Sequence, residues 1–156
     1  MLKPGLNAFA IVLLLAGLIA CGKPPACPDV SLPLPPANAG CLVIQERQVL
    51  MVRELTGKIS LPGGTSERGE SAQCTAWRET FEETGLAVQV GARMQVFDNG
   101  FSLFRCTTAP GAYGQSQVPG LAGEIREVLW LNESQLGDYA WRFPSQQAMI
   151  RAALQQ

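Results

Sequence analysis

Three glutamates crowd one side of a predicted helix in the middle of the chain. Glu79, Glu82 and Glu83 stand at positions i, i+3 and i+4, which places their carboxylates on one helical face. They also lie near the carboxyl end of that helix, where the helix dipole disfavours negative charge. Because carboxylate oxygens without a histidine or thiolate partner suit hard cations, the spacing favours a Mg²⁺ or Mn²⁺ site. The alternative is a solvated acidic face that Arg78 partly neutralises through its i,i+4 pair with Glu82.

The composition excludes several other kinds of site. The sequence contains no histidine, which excludes a Ser-His-Asp or Cys-His nucleophilic site, zinc ligation by histidine and a histidine pH switch. Charged residues make up 16% of the chain and the net charge is -1, so a nucleic-acid polymer is not an expected partner. The hydrophobic fraction of 47% is too high for a disordered chain. Acid–base chemistry must therefore use carboxylates, lysine, tyrosine or cysteine.

The residues around the three glutamates match a longer pattern. From Gly64 the chain reads GTSERGESAQCTAWRETFEETGL, which resembles the signature of the Nudix (MutT-like) hydrolases, Gx5Ex7REUxEExGU, where U is a bulky aliphatic residue. All seven fixed positions match, and chance would produce this with a probability on the order of 10⁻⁸. The departure is Thr80, which stands where a bulky aliphatic residue is usual. The preceding LPGG at residues 61–64 resembles the family's lead-in to this signature.

The resemblance implies a metal site and a reaction. In this family the signature forms a loop–helix–loop that holds a divalent metal against a diphosphate, so Glu79, Glu82, Glu83 and the carbonyl of Gly64 are the expected metal ligands. Glu79, Glu83 and Glu124 are the expected catalytic residues, with Glu79 the first choice of general base. Glu124 is the candidate base outside the signature, and a surface acid flanking a strand is the alternative reading of it. The implied reaction is hydrolysis of a nucleoside diphosphate linked to another moiety, with Mg²⁺ or Mn²⁺ as cofactor.

Three other signature residues are predicted to have structural roles. Arg78 is expected to orient the glutamates rather than to contact phosphate, and Glu70 is expected to be a structural partner near the helix start. Gly85 sits where a left-handed residue ends a helix. A different class of function also stays open: a non-catalytic module that uses the same fold to hold a ligand or a protein partner in the cell envelope.

Substrate specificity in this family lies outside the signature, and here the sequence is nearly silent. Phe97, Phe101, Tyr113 and Trp141 are candidates to stack on a base, although core or rim packing is the more frequent role of such residues. The loop over residues 108–123 is long enough for a lid. A nucleotide-type small molecule is therefore the expected partner, without further identification, and the oligomeric state is not predicted.

Short apolar runs predict the elements that carry these residues. Predicted strands cover residues 41–45, 49–53, 58–61, 88–96, 101–107 and 127–131. Ser71 is the predicted N-cap of a helix that runs to about Thr84, and a second helix is predicted over residues 145–154. This order describes an α+β domain, which the resemblance refines to a Nudix-type α/β/α sandwich with a mixed β-sheet.

The amino-terminal residues resemble the signal peptide of a bacterial lipoprotein. Lys3 precedes an apolar stretch over residues 8–20, which is shorter than the roughly 20 residues that span a bilayer. The run LIAC at residues 18–21 resembles a lipobox, which implies cleavage before Cys21, lipidation of Cys21 and stable attachment to a membrane. The implied location is the cell envelope, facing the periplasm or the exterior. The outer membrane is favoured in a Gram-negative source, because Gly22 replaces an aspartate that retains lipoproteins at the inner membrane.

These boundaries divide the chain into three parts. Residues 1–20 are predicted to be a cleaved signal peptide. Residues 21–40 are rich in proline and are predicted to be an extended tether. Residues 41–156 are predicted to be the folded hydrolase domain.

Four cysteines remain in the exported part of the chain, where disulfides persist. Cys27, Cys41, Cys74 and Cys106 allow three pairings. We favour Cys27–Cys41, which would join the tether to the domain, together with Cys74–Cys106, which would join the helix to a strand; the other two pairings stay open. A catalytic cysteine is not expected, because the sequence has neither a histidine nor a CxxC motif.

Overall fold

The structure is a computed structural model of the 156-residue chain and describes residues 26–28, 32–108 and 123–156. The predicted signal peptide, Cys21, Tyr113 and most of the predicted lid loop lie outside the described residues. Within the described part of the chain, no helix has the length and apolar character needed to cross a membrane.

Seven strands among the described residues form one mixed β-sheet. They are β1 (Ala39–Gln45), β2 (Gln48–Glu54), β3 (Ile59–Ser60), β4 (Gly63–Gly64), β5 (Val88–Val96), β6 (Ser102–Thr108) and β7 (Ile125–Leu131). The order is β3-β2-β1-β6-β5, while β4 pairs with β1 and β7 pairs with β2. The pair β1–β6 is parallel and the remaining pairs are antiparallel. The predicted strands are confirmed to within a few residues, and β4 is an addition that the sequence did not indicate.

In the part of the chain that the structure describes, two α-helices cover the two faces of this sheet. Helix α1 (Ala72–Thr84) connects β4 to β5, and helix α2 (Gln147–Leu154) follows two short 3-10 helices, Glu133–Asp138 and Pro144–Gln146. Successive residues of β1 point to opposite faces, as the two-residue repeat of a strand requires. Cys41 and Val43 belong to the buried cluster that contains α1, whereas Leu42 belongs to the cluster that contains α2. The α/β/α sandwich with a mixed sheet is therefore confirmed.

The proline-rich segment before β1 packs on the domain. Strand β1 starts at Ala39, two residues before the predicted domain boundary. The side chain of Gln73 on α1 accepts a hydrogen bond from the Leu34 backbone N–H at 2.9 Å and donates one to the Leu32 carbonyl at 3.0 Å. Leu34 and Ala37 pack against the α1 side of the core. Residues 32–38 thus belong to the surface of the domain rather than to a free tether.

The disulfide pairing that the sequence favoured is wrong. Cys27 pairs with Cys74, and Cys41 pairs with Cys106, each with a Cα–Cα distance of 5.5 Å. The reason is the sheet order: β1 and β6 are adjacent parallel strands, and Cys41 and Cys106 project from them into the same buried cluster beneath α1. Cys74 lies next to Gln73, whose side chain binds the amino-terminal segment, and so it is available to Cys27.

Candidate active site

Helix α1 is fixed at both ends by residues that the sequence identified. The Ser71 side chain accepts a hydrogen bond from the Cys74 backbone N–H at 3.3 Å, which satisfies one of the free donors at the helix start. Gly85 ends the helix with a φ of 71°, a conformation that a residue without a Cβ adopts at little cost. These caps determine where the helix starts and stops, and therefore the direction in which its glutamates project.

Arg78 is the centre of a half-buried ionic cluster. Its guanidinium binds the Glu70 carboxylate through Nε at 2.8 Å and Nη2 at 2.9 Å, Glu79 through Nη1 at 2.9 Å, Glu82 through Nη1 at 3.0 Å, and the Thr65 carbonyl through Nη2 at 2.8 Å. Only 11% of the Arg78 side chain is exposed. The structure thus joins the loop before α1 to two of the three glutamates predicted as metal ligands, and Arg78 has little freedom to bind a phosphate.

Glu70 and Glu79, two of the carboxylates in this cluster, have pKa values that are shifted in opposite directions. The hydrogen bonds that Arg78 donates to Glu70 raise the pKa of Arg78, so it stays charged. Burial on its own would raise the pKa of Glu70, but the hydrogen bonds and charge of Arg78 outweigh burial and lower it. Burial raises the pKa of Glu79, and Arg78 only partly opposes this. Glu70 is therefore held as an anion, while Glu79 is a weaker acid within reach of the same arginine.

Glu83 is bound to the strand that precedes the helix. Its Oε2 accepts a hydrogen bond of 2.9 Å from the Gly63 backbone N–H, so the carboxylate reaches across to β4. Burial raises the pKa of Glu83 to about 8, and this one hydrogen bond is too weak to restore the ordinary value of 4.5. A cation beside a buried carboxylate stabilises its charged form. Among the described residues, Arg142 acts in this direction on Glu83, but it does not restore the ordinary pKa.

Glu79 lies directly over Gly64. A Cβ atom at Gly64 would be 2.5 Å from the Glu79 Cδ and between 2.5 and 2.6 Å from its two oxygens, closer than any real Cβ contact. Only glycine therefore permits the carboxylate to rest against the backbone of β4. This contact brings one helix carboxylate beside the Gly64 backbone.

These groups meet in a cavity of about 490 Å³. Glu79, Glu83 and Glu124 line it together with Gly63 and Gly64, so the structure brings together the three predicted catalytic residues. The fourth predicted acid behaves differently, because Glu82 is bonded to Arg78 and does not line this cavity.

The NUDIX domain matches residues 34–152, which include the whole of this site. The chain belongs to the NUDIX domain family. It is 29% identical over 106 residues to a MutT-like protein of Streptomyces ambofaciens, an alignment that covers 64% of this chain and 65% of that protein. It is 36% identical over 78 residues to nucleoside diphosphate-linked moiety X motif 6 of Mus musculus, with 48% of this chain and 23% of that protein covered. The Nudix chain thus spans less than two thirds of the length of either relative.

Solved structures agree with this assignment of fold. An ADP-ribose pyrophosphatase from Streptococcus suis superposes with a TM-score of 0.63 at 21% identity, covering 78% of this chain and 93% of that one. A UDP-X diphosphatase superposes with a TM-score of 0.60 at 22% identity, covering 83% and 66%. A NUDIX hydrolase from Nitrosomonas europaea gives 0.63 at 23% identity, covering 84% and 76%. At these identities the similarity establishes the Nudix fold, not the substrate.

The donor set of the Nudix cavity fits a hard divalent cation. Among the described residues, no three acidic or cysteine side chains are already gathered closely enough to hold an ion. Glu79 and Glu83 nevertheless lie in one cavity beside the Gly64 backbone, and both have a pKa raised by burial. Mg²⁺ is commonly bound through one or two carboxylates, with substrate phosphates and water completing the shell. The carboxylates of Glu79 and Glu83 beside the Gly64 backbone meet that requirement.

The part of the cavity wall outside the signature carries residues that the sequence did not single out. Arg142 lines the cavity, and its Nη1 donates a hydrogen bond of 2.7 Å to Glu54 Oε1 on β2. Its guanidinium also lies 5.1 Å from the centre of the Phe143 ring. Arg142 and Glu54 are 88 positions apart in the sequence, so spacing along the chain could not indicate that they pair.

The aromatic candidates have separate positions. Phe101 lines the main cavity, and Phe97 and Phe101 line a neighbouring one. Trp141 belongs to the core: 9% of it is exposed, and its Nε1 donates a hydrogen bond of 3.1 Å to the Leu136 carbonyl. Gln146 also lines the main cavity; it is 7% exposed, and its Oε1 has no hydrogen-bond partner among the described residues. This part of the wall thus offers both an aromatic and an amide surface.

Proposed function

We propose that this Nudix protein hydrolyses a phosphoanhydride bond in a nucleoside diphosphate linked to another moiety, with Mg²⁺ or Mn²⁺ as cofactor. The observation that carries the proposal is the shared cavity of Glu79 and Glu83 at the Gly63–Gly64 strand. The names of two structural neighbours, ADP-ribose pyrophosphatase and UDP-X diphosphatase, belong to enzymes that split such bonds and guide the choice of substrates to test.

Glu79, Glu83 and the Gly64 carbonyl are the residues proposed to hold the cation. A divalent ion in this position would neutralise phosphate charge and lower the pKa of water. Glu82 binds Arg78 through Oε2 and does not line the cavity, so we propose that it becomes a ligand only when its side chain turns toward the cation. Arg78 and Glu70 keep the helix and the preceding loop in register while this happens.

The proposed chemical step is a substitution at phosphorus by water. The water oxygen forms a bond to one phosphorus, the bond from that phosphorus to the bridging oxygen breaks, and the bridging oxygen leaves with the other phosphate. Glu79 accepts the proton that the water loses. It suits this role because it lines the cavity, because burial raises its pKa, and because Arg78 binds only its Oε1.

Glu124 is the second candidate for the general base. It is exposed on the wall of the same cavity, and its carbonyl accepts a hydrogen bond of 3.1 Å from Leu55. If Glu79 is the base, Glu79→Gln abolishes turnover while Glu124→Gln reduces it only a few-fold. The reverse order of effects would assign the proton transfer to Glu124.

The proposal is tested with the purified full chain in detergent, assayed on ADP-ribose, UDP-sugars and nucleoside triphosphates. We expect hydrolysis of at least one substrate with Mg²⁺ or Mn²⁺ and none in EDTA. In Glu83→Gln the rate of hydrolysis should fall by more than a hundred-fold. Glu133→Gln, outside the cavity lining, is the control and should keep wild-type activity. An inactive wild type across this panel with both metals would contradict the proposal. Metal-dependent binding without turnover would instead support the non-catalytic binding module.

We also propose that the domain is anchored through lipid on Cys21, after cleavage of residues 1–20, and faces the periplasm or the exterior. The apolar stretch and the LIAC run support this. Cys21→Ser should release the protein from membranes and stop incorporation of labelled acyl chains. Cys27→Ser keeps Cys21 and serves as the control. Unchanged membrane fractionation of Cys21→Ser would show that the anchor lies elsewhere or is absent.

A further inference from the structure

The cavity has a charge distribution that is unfavourable for an anionic substrate. Three carboxylates line it, those of Glu79, Glu83 and Glu124. Among the described residues, Arg142 is the cation on its wall. Arg78 binds Glu79 but does not line this cavity, and it uses its donors on Glu70, Glu79, Glu82 and Thr65.

The backbone at Arg142 is held in place by the sheet. Its N–H donates a hydrogen bond of 2.9 Å to the Ile59 carbonyl, and the Ile59 N–H donates one of 2.8 Å to the Ala140 carbonyl. Trp141 forms a parallel bridge with Ile59 and is buried in the core. Arg142 thus projects from a rigid point next to β3, the strand that leads into Gly63–Gly64.

Glu54 holds the guanidinium in one orientation. This carboxylate is itself anchored: Oε1 accepts from Arg142 at 2.7 Å and from Ser60 Oγ at 3.4 Å, and Oε2 accepts from Thr56 Oγ1 at 3.2 Å. Only 14% of the Glu54 side chain is exposed, whereas 53% of the Arg142 side chain is exposed. The anchored partner is therefore the acid, and the arginine is the member of the pair that faces solvent and ligand.

The remaining donors of Arg142 are available. A guanidinium has five N–H donors in a planar fork, and of the described residues only Glu54 accepts from the Arg142 side chain. The Cζ atom of Arg142 lies 5.1 Å from the centre of the Phe143 ring, a contact that uses none of these N–H donors. A guanidinium with free donors binds two oxygens of one phosphate through parallel hydrogen bonds. Arg142 lines the same cavity as Glu79 and Glu83 of the signature.

We infer that Arg142 binds the phosphate groups of the substrate in this cavity and that Glu54 is its positioning residue. The inference rests on the proposed function, since it assigns a residue to the substrate of that reaction. It assigns the diphosphate two attachment points in one cavity: the acidic strand–helix junction and the arginine. Substrates that carry phosphate are then retained, while neutral nucleosides are not.

The test compares two arginines with similar surroundings. Arg142 pairs with Glu54 and lies over Phe143, whereas Arg53 pairs with Glu127 at 3.5 Å and lies 5.7 Å from the Tyr139 ring centre, outside the cavity lining. Arg142→Met and Arg53→Met therefore remove the same kind of side chain from similar pairs. Thermal melting of each full-length variant checks that the fold is retained.

The first measurement is binding without turnover. ADP and adenosine are titrated into the full chain in EDTA, and dissociation constants are taken from NMR shifts. Arg142→Met should weaken ADP binding by about ten- to hundred-fold and leave adenosine within two-fold, because only ADP carries phosphate. Arg53→Met should change neither, and Arg142→Lys should recover part of the loss, since it keeps the charge without the fork.

The second measurement is kinetic, on any substrate that the wild type hydrolyses. Arg142→Met should raise KM by a similar factor with kcat within about three-fold, as expected for a residue that binds phosphate in ground and transition state alike. Equal ADP affinities in Arg142→Met and Arg53→Met, or equal losses for ADP and adenosine, would overturn the inference. A wild type that binds ADP through Arg142 but hydrolyses nothing would contradict the proposed function alone.

Discussion

The carboxylate of Glu83 and the backbone N–H of Gly63 are joined by a hydrogen bond of 2.9 Å, which ties the last acid of α1 to strand β4. The bond fixes where the acid points, but it does not offset the cost of burying a charge, since the pKa of Glu83 is raised to about 8. In the absence of a cation, the folded chain therefore prefers a protonated Glu83 near neutral pH. The fold thus positions Glu83 precisely, but burial of its charged form lowers the free energy of unfolding.

The first prediction is that Glu83→Gln stabilises the metal-free protein at alkaline pH. The folded pKa lies above the ordinary value of 4.5, so the folded state holds the extra proton, and stability falls as pH rises from about 4.5 through about 8. Glutamine can still accept the Gly63 N–H but carries no charge. In EDTA, the free energy of unfolding measured with urea should be a few kcal/mol higher for Glu83→Gln than for the wild type at pH 8.5, and almost equal at pH 4.5. An advantage that does not depend on pH would contradict the burial argument, and Glu127→Gln on the surface is the control.

A second prediction concerns the contact between Gly64 and Glu79. In Gly64→Ala the new Cβ would meet the Glu79 carboxyl at 2.5 Å, and this group is the movable end of a side chain. The carboxylate should therefore turn away, with a loss of stability below about 1 kcal/mol. Hydrolysis should fall by about a hundred-fold, because a displacement of about 1 Å at a reacting group has that effect. Gly137→Ala, whose Cβ would meet only Arg151 Nη2 at 3.9 Å, should change neither quantity. Wild-type kcat/KM in Gly64→Ala would show that Glu79 does not act from its position over Gly64.

The third prediction is that Arg78 has a large effect on stability. Arg78→Met leaves three partly buried carboxylates without their cation, and we expect the free energy of unfolding at pH 7 to drop by about 3 kcal/mol. Arg53→Met, which breaks an exposed pair, should cost less than about 1 kcal/mol. Arg78 lowers the pKa of Glu70, so this part of the stabilisation is present above pH 4.5 and is lost as pH falls through the folded pKa. The difference between wild type and Arg78→Met should accordingly shrink below pH 4, as urea titrations would reveal; a constant difference would argue for a packing effect.

The sequence predicted the parts of the site that depend on neighbours along the chain. Ser71 and Gly85 bound α1 as expected, since capping is decided by residues within one turn. The shared face of the glutamates follows from the helical repeat alone. Thr80, the departure from the signature, is fully buried and donates its hydroxyl to the Ala76 carbonyl at 2.7 Å. A polar residue is thus accommodated on the packing face because its hydrogen bond stays within the helix.

The rest of the site depends on contacts between distant segments. The pairing of Glu54 with Arg142 requires the sheet order, in which the segment after the first 3-10 helix returns to β3. The Cys41–Cys106 disulfide depends on the same order, because β6 lies beside β1 in parallel despite the strands and helix between them. The 3-10 helix Glu133–Asp138 was not predicted from the sequence. Its start was predictable from local spacing, because Asn132 and Gln135 form a capping box.

The last prediction is that the two disulfides differ in accessibility. Cys41 is 0% exposed and Cys106 is 2% exposed, whereas Cys27 and Cys74 are both half-buried at the surface. A low concentration of dithiothreitol under native conditions should therefore reduce Cys27–Cys74 first, and alkylation followed by peptide mass spectrometry should find the label on these two cysteines. Replacing either pair with serine should lower the free energy of unfolding by about 2–4 kcal/mol, as loops with sequence separations of 47 and 65 imply. Simultaneous labelling of all four cysteines would mean that the Cys41–Cys106 bond opens without prior unfolding, which its position in the core beneath α1 should prevent.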